Sequence, residues 1–517
     1  MVVVSLGVAM IIVDSTIVNV ALPAIIRELS ITSTDAQWVQ ESYTLVFAAL
    51  LLSFGRLADR YGRRLLFLAG LLVFIVASVL AALGQNGPEL IGARILQGIG
   101  GAAMLPTSLS IINAEFRGRD RGIAFAVWGS TIGGTAALGP LLGGWLTTSF
   151  SWRWAFGINV PLGVLVIVGL LLLVGESKGA DVRPGVDLGG ALLSIVGFGG
   201  VVFALIEGRN YGWWGSLKPF SLPGLPWPSG VSPVPVSLAV GVLALVLFVV
   251  VELRRNRADQ VVILDLQLFT ITSFRNGNVA AAVVSLGEFG LLFSLPLWFQ
   301  NVRGYSAFET GLALLPLAVG SFAASGLGAQ VGARRGAAFV VRLGIVLEIV
   351  GIAAIGLFAR ADSAWWVTVP CLFVYGMGVG LATAQLTGVV LVDVPVAQSG
   401  QGSATQSTSR QLGSALGIAI LGTVLFTSLG SNLTSALDGA PGLPGGQGSQ
   451  LVAAVVDSAG AAIPSLGANP ATAAVADAAR VAFTDATRAT AWVAVAFLLL
   501  GLAVSFSLGR TPGQHED

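Results

Sequence analysis

Asp14 lies in the middle of the first apolar stretch, MVVVSLGVAMIIVDSTIVNVALPAII, and Arg94, Glu288 and Glu348 lie within later ones. An ionisable group at the centre of a bilayer costs about 2.5–3.5 kcal/mol on insertion scales, and such groups usually line an ion or substrate path. A chain that keeps a few of them inside long hydrophobic runs reads as a proton- or cation-coupled transporter. Glu41 follows Trp38 near one end of the second stretch, as either a solvated mouth residue or a cation-attracting one. Other chemistries are excluded by residue type. His515 is the only histidine and Cys371 the only cysteine, so no histidine metal site, histidine relay or intrachain disulfide is available, and no metal is expected. Lys178 and Lys218 are the only lysines, and neither sits in the Gly-Lys-Ser/Thr context of a phosphate-binding loop. ATP is therefore not expected as the energy source, nor any cofactor beyond a proton gradient.

The elements that must position these groups are membrane spans. Hydrophobic residues make up 55% of the chain, charged residues only 10%, and mean hydropathy is +0.86. Soluble domains carry about 25% charged residues, so the composition is that of a polytopic membrane protein. A net charge of +1 with no long basic tract argues against nucleic acid as a partner. The N-terminus lacks a basic leader and carries Asp14 and Asn19, so it is expected to stay as a first helix rather than be cleaved. That helix begins almost at Met1, and a short preceding tail is expected to be missing.

Spans of about 20 mostly apolar residues are predicted near 2–24, 36–56, 64–84, 88–113, 122–147, 154–175, 186–206, 236–253, 275–300, 308–332, 337–359, 364–392, 408–430 and 488–509. That makes fourteen. Arginines cluster in alternate short loops, at Arg56, Arg60, Arg63 and Arg64, at Arg117, Arg119 and Arg121, at Arg254, Arg255 and Arg257, and at Arg334 and Arg335. By the positive-inside bias these loops and both termini are cytoplasmic. Two long connections fall outside. Residues 207–235 are rich in Trp and Pro, as an interfacial belt is; residues 431–487 are rich in Ala, Gly, Ser and Pro, with a short helix predicted over 471–486. Both are expected as solvated or surface-lying loops, with a lid over the outer mouth as the sharper alternative. A weak repeat relates GRLADRYGRR (55–64) to GAQVGARRG (328–336) and suggests two six-helix bundles with the seventh and eighth spans inserted between them.

Several motifs carry a physical reading. In GRLADRYGRR, Gly55 and Gly62 allow close approach and tight turning, Asp59 is placed to meet a helix N-terminus, and Arg60, Arg63 and Arg64 to meet carboxylates or lipid headgroups. Charge anchoring accounts for the arginines but not for the Gly-Asp-Gly frame, which favours a conformational latch. In GTAALGPLLGG (134–144), Gly134, Gly139, Gly143 and Gly144 give small-residue contacts and Pro140 removes a hydrogen bond within the span. Together with MIIVDSTIVNVALP (10–23), RILQGIGGA (94–102), WRWAFGINVPLG (152–163) and RQLGSALGIAILGTV (410–424, opening on Arg410), these segments resemble, in order and spacing, the fourteen-span multidrug–proton antiporter branch of the major facilitator superfamily.

The resemblance covers the whole chain. It implies an all-α integral membrane protein: an N-terminal six-helix bundle (1–176), an inserted helix pair with the Trp/Pro-rich loop (177–262), and a C-terminal bundle with the long loop (263–517). At 1.5 Å per residue, Asp14, Arg94 and Glu288 all come to roughly 20 Å above the cytoplasmic edge, with Asp14 and Glu288 on the first helices of their bundles. Apolar walls and a nearby guanidinium act on a carboxyl's protonation in opposite senses, which is what proton coupling needs. Arg94 is either that regulator or a structural counter-ion. Glu348, at similar depth, falls on a helix that is peripheral in the family, where a structural or lipid-facing role is expected.

The reading is a proton-coupled antiporter that exports hydrophobic, cationic drugs or toxic small molecules across the cytoplasmic membrane by alternating access. Asp14, Arg94 and Glu288 are its proton-coupling residues. Glu41, Trp38, Tyr43, Trp128, Phe289 and Phe293 are its candidate substrate contacts, although bundle packing is the commoner fate of any single aromatic. Expected partners are the substrates, protons and membrane lipids. A dedicated transporter of one metabolite, lipid or peptide shares the same scaffold. An intramembrane enzyme is remote: it would need a His, Cys or multi-acid cluster converging at one depth, and the single histidine nearly removes it.

Overall fold

The computed structural model describes residues 1–116, 131, 135, 138–178, 187–220, 227–228, 230–258, 260, 262–394, 399–438 and 447–508. Long helices dominate: α1 (Val2–Leu29), α2 (Ser33–Tyr61), α3 (Arg63–Leu83), α4 (Gly87–Glu115), α5 (138–149), α6 (Trp154–Gly157), α7 (Asn159–Leu173), α8 (Leu188–Tyr211), α9 (Pro233–Arg257), α10 (Thr272–Asn301), α11 (Ala307–Arg335), α12 (Ala337–Phe358), α13 (Trp365–Leu391), α14 (Ser399–Leu437), α15 (Gln447–Asp457), α16 (Ile463–Ala468) and α17 (Ala473–Ser505). Twelve described helices are long and apolar enough to cross a membrane. The fourteen expected from the sequence exceed that number at two places. α2 has the length, but its run carries Gln37, Gln40, Glu41, Ser42 and Thr44. The fifth span, 122–147, lies largely outside the described residues.

Local sequence signals set the helix ends. Thr32 and Asp35 close a reciprocal capping box at the start of α2, and Ser306 and Glu309 do the same for α11. Asn86 caps α4 with Pro88 in its first turn, and Ser232 caps α9 ahead of Pro233. The sixth span is broken, with α6 ending at Gly157 and α7 starting at Asn159, two residues before Pro161, which has no N–H to continue a preceding helix.

The helices form two bundles. α1–α7 surround one core, in which Phe47, Phe67 and Phe74 are buried, and α10–α14 with α17 surround the other. Outward faces stay apolar, as on α9, where Val240, Val242, Leu243, Val246 and Leu247 are exposed, which suits hydrocarbon contact. The ends remote from Met1, called distal below, hold the bundles together. Gln300 of α10 donates to the Val20 carbonyl (2.8 Å), Gln37 of α2 reaches the Ile418 carbonyl (3.5 Å), and the Phe308 N–H donates to Thr148 (2.9 Å).

The inserted pair α8–α9 packs back to back through Gly200 and Gly241. α8 then lies across the distal seam. Trp38 of α2 donates to Glu207 (2.9 Å), Arg209 donates to Thr34 (3.2 Å), and Thr423 of α14 donates to the Leu205 carbonyl (2.9 Å).

The stretch 431–487 is not the solvated loop expected from its composition. α14 runs on to Leu437, α15 and α16 follow, and α17 begins at Ala473. Val455, Ala459, Ile463 and Phe483 are fully buried, Asn301 donates to the Ala459 carbonyl (3.0 Å), and Trp298 donates to Thr484 (3.0 Å). Its alanines, strong helix formers, outweigh its glycines. In 207–235, Trp214 is exposed, while Phe220 packs edge-on against Tyr211 and Trp227.

Candidate functional site

Asp14 is 0% exposed at the middle of α1, and four other elements converge on it. Its Oδ2 accepts from Arg94 Nη1 of α4 at 2.6 Å. Its Oδ1 accepts from Gln97 Nε2, one turn along α4 (3.0 Å), and from Asn159 Nδ2 at the start of α7 (2.7 Å). Ser78 of α3 accepts from both amides, at 2.9 and 3.2 Å, and donates to the Phe74 carbonyl. Arg94 also donates through Nε to the Val39 carbonyl of α2 (3.1 Å) and through Nη1 to Gln97 Oε1 (2.9 Å). Its guanidinium carbon stands 4.2 Å over the Tyr43 ring and 5.9 Å from that of Phe156.

Three donors on one carboxylate, one of them cationic, is the arrangement a buried negative charge requires. Adding a proton to Asp14 would leave one donor facing another and free Arg94 from its partner. The Asp14 carboxylate thus ties α4 and α7 to α1. The break between α6 and α7 serves this directly, because it sets Asn159 in the first turn of α7, pointing at Asp14.

Sequence reasoning brought Asp14 and Arg94 together but missed Gln97, Asn159 and Ser78. The first two lie inside the quoted segments RILQGIGGA and WRWAFGINVPLG, and a polar amide in an otherwise apolar motif was the available signal.

In the other bundle, Glu288 of α10 is nearly buried, with Arg410 of α14 4.0 Å away, so Arg410 is a charge partner as well as part of a helix motif. Glu348 is fully buried, so the lipid-facing alternative expected for it does not hold, while the structural one is untouched by this. Its helix is pressed against α13 at Gly344, Gly351 and Gly378, and this turns the side chain inward. Glu41 is not a solvated mouth residue either. It is 0% exposed, and neither carboxyl oxygen has a hydrogen-bond partner among the described residues.

The aromatic candidates divide. Tyr43 is buried beneath Arg94, stacked on Phe47, and Phe293 is buried edge-on against Phe426, so both are packing elements in this arrangement. Trp38 is committed to Glu207, and Phe289 is half-buried beside Glu288. Trp128 and Gly134 lie outside the described residues, as does the Asp59 side chain.

The loop motif holds together through a residue not foreseen. Gly62 has φ +132°, and the Glu176 carboxylate beyond α7 accepts from the N–H groups of Arg64 (3.1 Å) and Leu65 (3.0 Å) at the N-terminus of α3. The Arg63 N–H donates to the Ser177 carbonyl (3.0 Å), and Arg64 Nη2 to that of Leu171 (3.3 Å). Arg60 lies over the Tyr61 ring on the surface. Gly55 makes only ordinary contact with Pro106, so the close approach expected there is absent. In the fifth-span motif, a Cβ on Gly139 would lie 2.8 Å from Thr16 Cβ, and one on Gly143 2.6 Å from Ile17 Cγ1, both on α1. Across the seam, a Cβ on Gly144 would come within 2.9 Å of Phe308 Cα, and one on Gly311 within 2.6 Å of the Pro140 carbonyl oxygen. α5 is thus wedged between α1 of one bundle and α11 of the other.

Comparison with known proteins agrees with this architecture. The chain is 34% identical over 434 residues to the multidrug resistance protein Stp of Mycobacterium tuberculosis, covering 84% of this chain and 76% of that protein. It is 32% identical over 507 residues to the multidrug efflux pump LfrA of Mycolicibacterium smegmatis, covering 97% and 94%. It is 33% identical over 421 residues to a puromycin resistance protein of Streptomyces alboniger, covering 80% and 79%. Among solved structures, a bacterial homologue of the human lysosomal transporter Spinster has the same fold, with a TM-score of 0.64 at 16% identity over 99% of this chain and 98% of that one. The Major Facilitator Superfamily profile matches residues 4–418, and the chain belongs to that family of multi-pass membrane transporters.

Proposed function

We propose that this protein is a drug exporter that exchanges protons for hydrophobic, cationic small molecules across the cytoplasmic membrane. The observation that carries the reading is the sealed Asp14 network, in which one carboxylate holds Arg94, Gln97 and Asn159 from two helices against a third. Drug export is supported by relatives at 30–35% identity whose names are resistance and efflux proteins. The proton enters through the chemistry of Asp14, since taking up a proton releases Arg94 and loosens α1 from α4 and α7. The distal contacts part while the opposite end closes, in the rocking of two bundles that alternating access requires. Both termini are assigned to the cytoplasm by the arginine-rich loops, which makes the distal end the outer one. The chain is assigned to the fourteen-span branch, with α2 and the fifth span completing the count. Glu41 and Glu288 are the acids available to a cationic substrate, and Glu309, Glu207 and Asp457 add negative charge towards the outer end.

A dedicated exporter is the second reading, favoured by the relative whose name gives puromycin resistance. Competition between chemically unrelated compounds separates the two. The central test uses proteoliposomes with ethidium as probe and with ΔpH and Δψ imposed separately. Wild type should concentrate ethidium against its gradient when ΔpH is imposed, and Asp14→Asn should not, although it inserts normally. An Asn variant that concentrates the dye at the wild-type rate would make Asp14 structural and end the proton-exchange reading.

A further inference from the structure

The C-terminal bundle holds a set of ionisable groups that exchange at Asp14 leaves unused. Glu288 on α10 and Arg410 on α14 stand 4.0 Å apart. Glu348 on α12 is fully buried, packed against Gly378 of α13. Tyr375 on α13, three residues before Gly378, is fully buried and donates its hydroxyl to the Glu288 backbone carbonyl oxygen (3.0 Å).

The other charged residues on the helices packed here lie towards helix ends or, for Asp485 and Arg488 within α17, beside the distal end of α12, where Arg488 donates to the Gly356 carbonyl. On α17, Asp477, Arg480, Asp485 and Arg488 pair with one another at the distal end. Arg342, towards the start of α12, is held by the Ser505 and Leu508 carbonyls, and Arg275 lies in the first turn of α10. α11 has Glu309 in its first turn and Arg334 and Arg335 in its last. Among the described residues, the middle of the bundle therefore contains two acids and one base.

The hydrogen bonding is as unbalanced as the charge. Neither oxygen of Glu348 nor Oε2 of Glu288 accepts a hydrogen bond from a described residue. Glu348 has little freedom to seek water, because a Cβ on Gly378 would come 2.6 Å from its Cγ and 2.4 Å from its backbone nitrogen. The contrast with Asp14, which accepts three hydrogen bonds, is direct. If both glutamates were ionised, one buried carboxylate would lack a countercharge, at a cost of several kcal/mol. A single proton on the pair removes that cost and leaves the other carboxylate to Arg410. Two carboxyls sharing one site behave in this way generally.

We infer that Glu288, Glu348 and Arg410 form a second proton-carrying centre, in which the two carboxyls hold one proton that is exchanged for a cationic substrate arriving beside Glu288. The inference rests on the proton-exchange reading and extends it to two protons per cycle, one from each bundle. With a monovalent cation leaving and two protons entering, one net charge moves inward per cycle. Transport is then driven by Δψ as well as by ΔpH.

Two measurements test this, and the first needs no substrate. Infrared spectra of the purified protein in lipid at neutral pH should show a protonated-carboxyl C=O stretch that disappears in Glu348→Gln, and also in Glu288→Gln should the first variant fold poorly. Spectra of folded variants that keep the whole band would overturn the shared proton. The second measures ethidium movement in proteoliposomes with a K⁺/valinomycin potential. Wild type should respond to Δψ and ΔpH, whereas Glu348→Gln should lose the Δψ-driven component and keep the ΔpH-driven one. An unchanged Δψ response in Glu348→Gln would also overturn the centre. Wild-type liposomes that ignore ΔpH altogether would instead sink the proposed function, and the infrared result would still decide whether the pair holds a proton.

Discussion

Asp14 is held by side chains that contribute unequally, and the difference is measurable. Asn159→Ala removes one neutral donor from a buried carboxylate, a loss of about 1–3 kcal/mol, so coupled ethidium transport should fall about tenfold while the protein stays folded. Arg94→Ala is more severe, because Asp14 then keeps a buried charge with no cation, at about 3–5 kcal/mol. Thermal melting of the detergent-solubilised protein should show that loss, and Arg94→Lys should recover part of it without the paired geometry that guanidinium gives to Gln97 and Val39. Asp14 and Arg94 were legible in the sequence because a charge in an apolar run is conspicuous. Gln97, Ser78 and Asn159 were not, since neutral polar residues are tolerated in spans for many reasons and only the fold brings these three to one point. The lipid-facing alternative for Glu348 fails for a related reason: its helix is peripheral as an element, but close packing against α13 turns this side chain inward.

Helix ends and close approaches carry the next layer of information. Gly62 combines a positive φ with the Glu176 carboxylate seated where a side chain would be. Gly62→Ala should therefore both strain the turn, by about 1–2 kcal/mol, and dislodge Glu176 from the start of α3. Glu176→Gln keeps the turn and weakens only the carboxylate's interaction with the helix N-terminus, worth about 0.3–1 kcal/mol. A larger loss of transport and of melting temperature in Gly62→Ala than in Glu176→Gln is the expected order, and equal effects would mean that the turn itself contributes nothing. Gly139→Val should be worse still, since α5 would be driven off Thr16 of α1. The sequence made the long apolar helices plain and placed a helix over 471–486, where α17 begins at Ala473, but it did not reveal the break before Asn159 or α15 and α16. A Pro-containing apolar run of span length reads as one helix, and an Ala-rich stretch broken by Gly and Pro reads as a loop. In both cases tertiary packing decides the outcome, here through Asp14 for α7 and through Trp298 and Asn301 for the segment ahead of α17.

As a whole, the molecule is two bundles joined at one end, and that end should be where movement is arrested most easily. In a Cys371→Ala background, cysteines at Gln37 and Gly422 bring α2 and α14 within reach of a short thiol-specific cross-linker, since a Cβ on Gly422 would lie 3.5 Å from Gln37 Cγ. Cross-linking should abolish transport and a cleavable linker should restore it; undiminished transport in the linked protein would mean that these contacts persist through the cycle. α8 lies over this same seam, bonded to Trp38 and Thr34 on one bank and to Thr423 on the other. It can follow only one bank when they part, so each opening must tear its bonds to the other. If α8 stays with α2, the bond from Thr423 is the one torn. At about 0.5–1.5 kcal/mol per hydrogen bond, and with tenfold in rate for every 1.36 kcal/mol, it acts as a brake of up to about tenfold on turnover that no substrate touches. On that account the inserted pair sets how often the gate swings and leaves what passes through it to the two bundles, and a chain relieved of α8 and α9 would run faster and leak more.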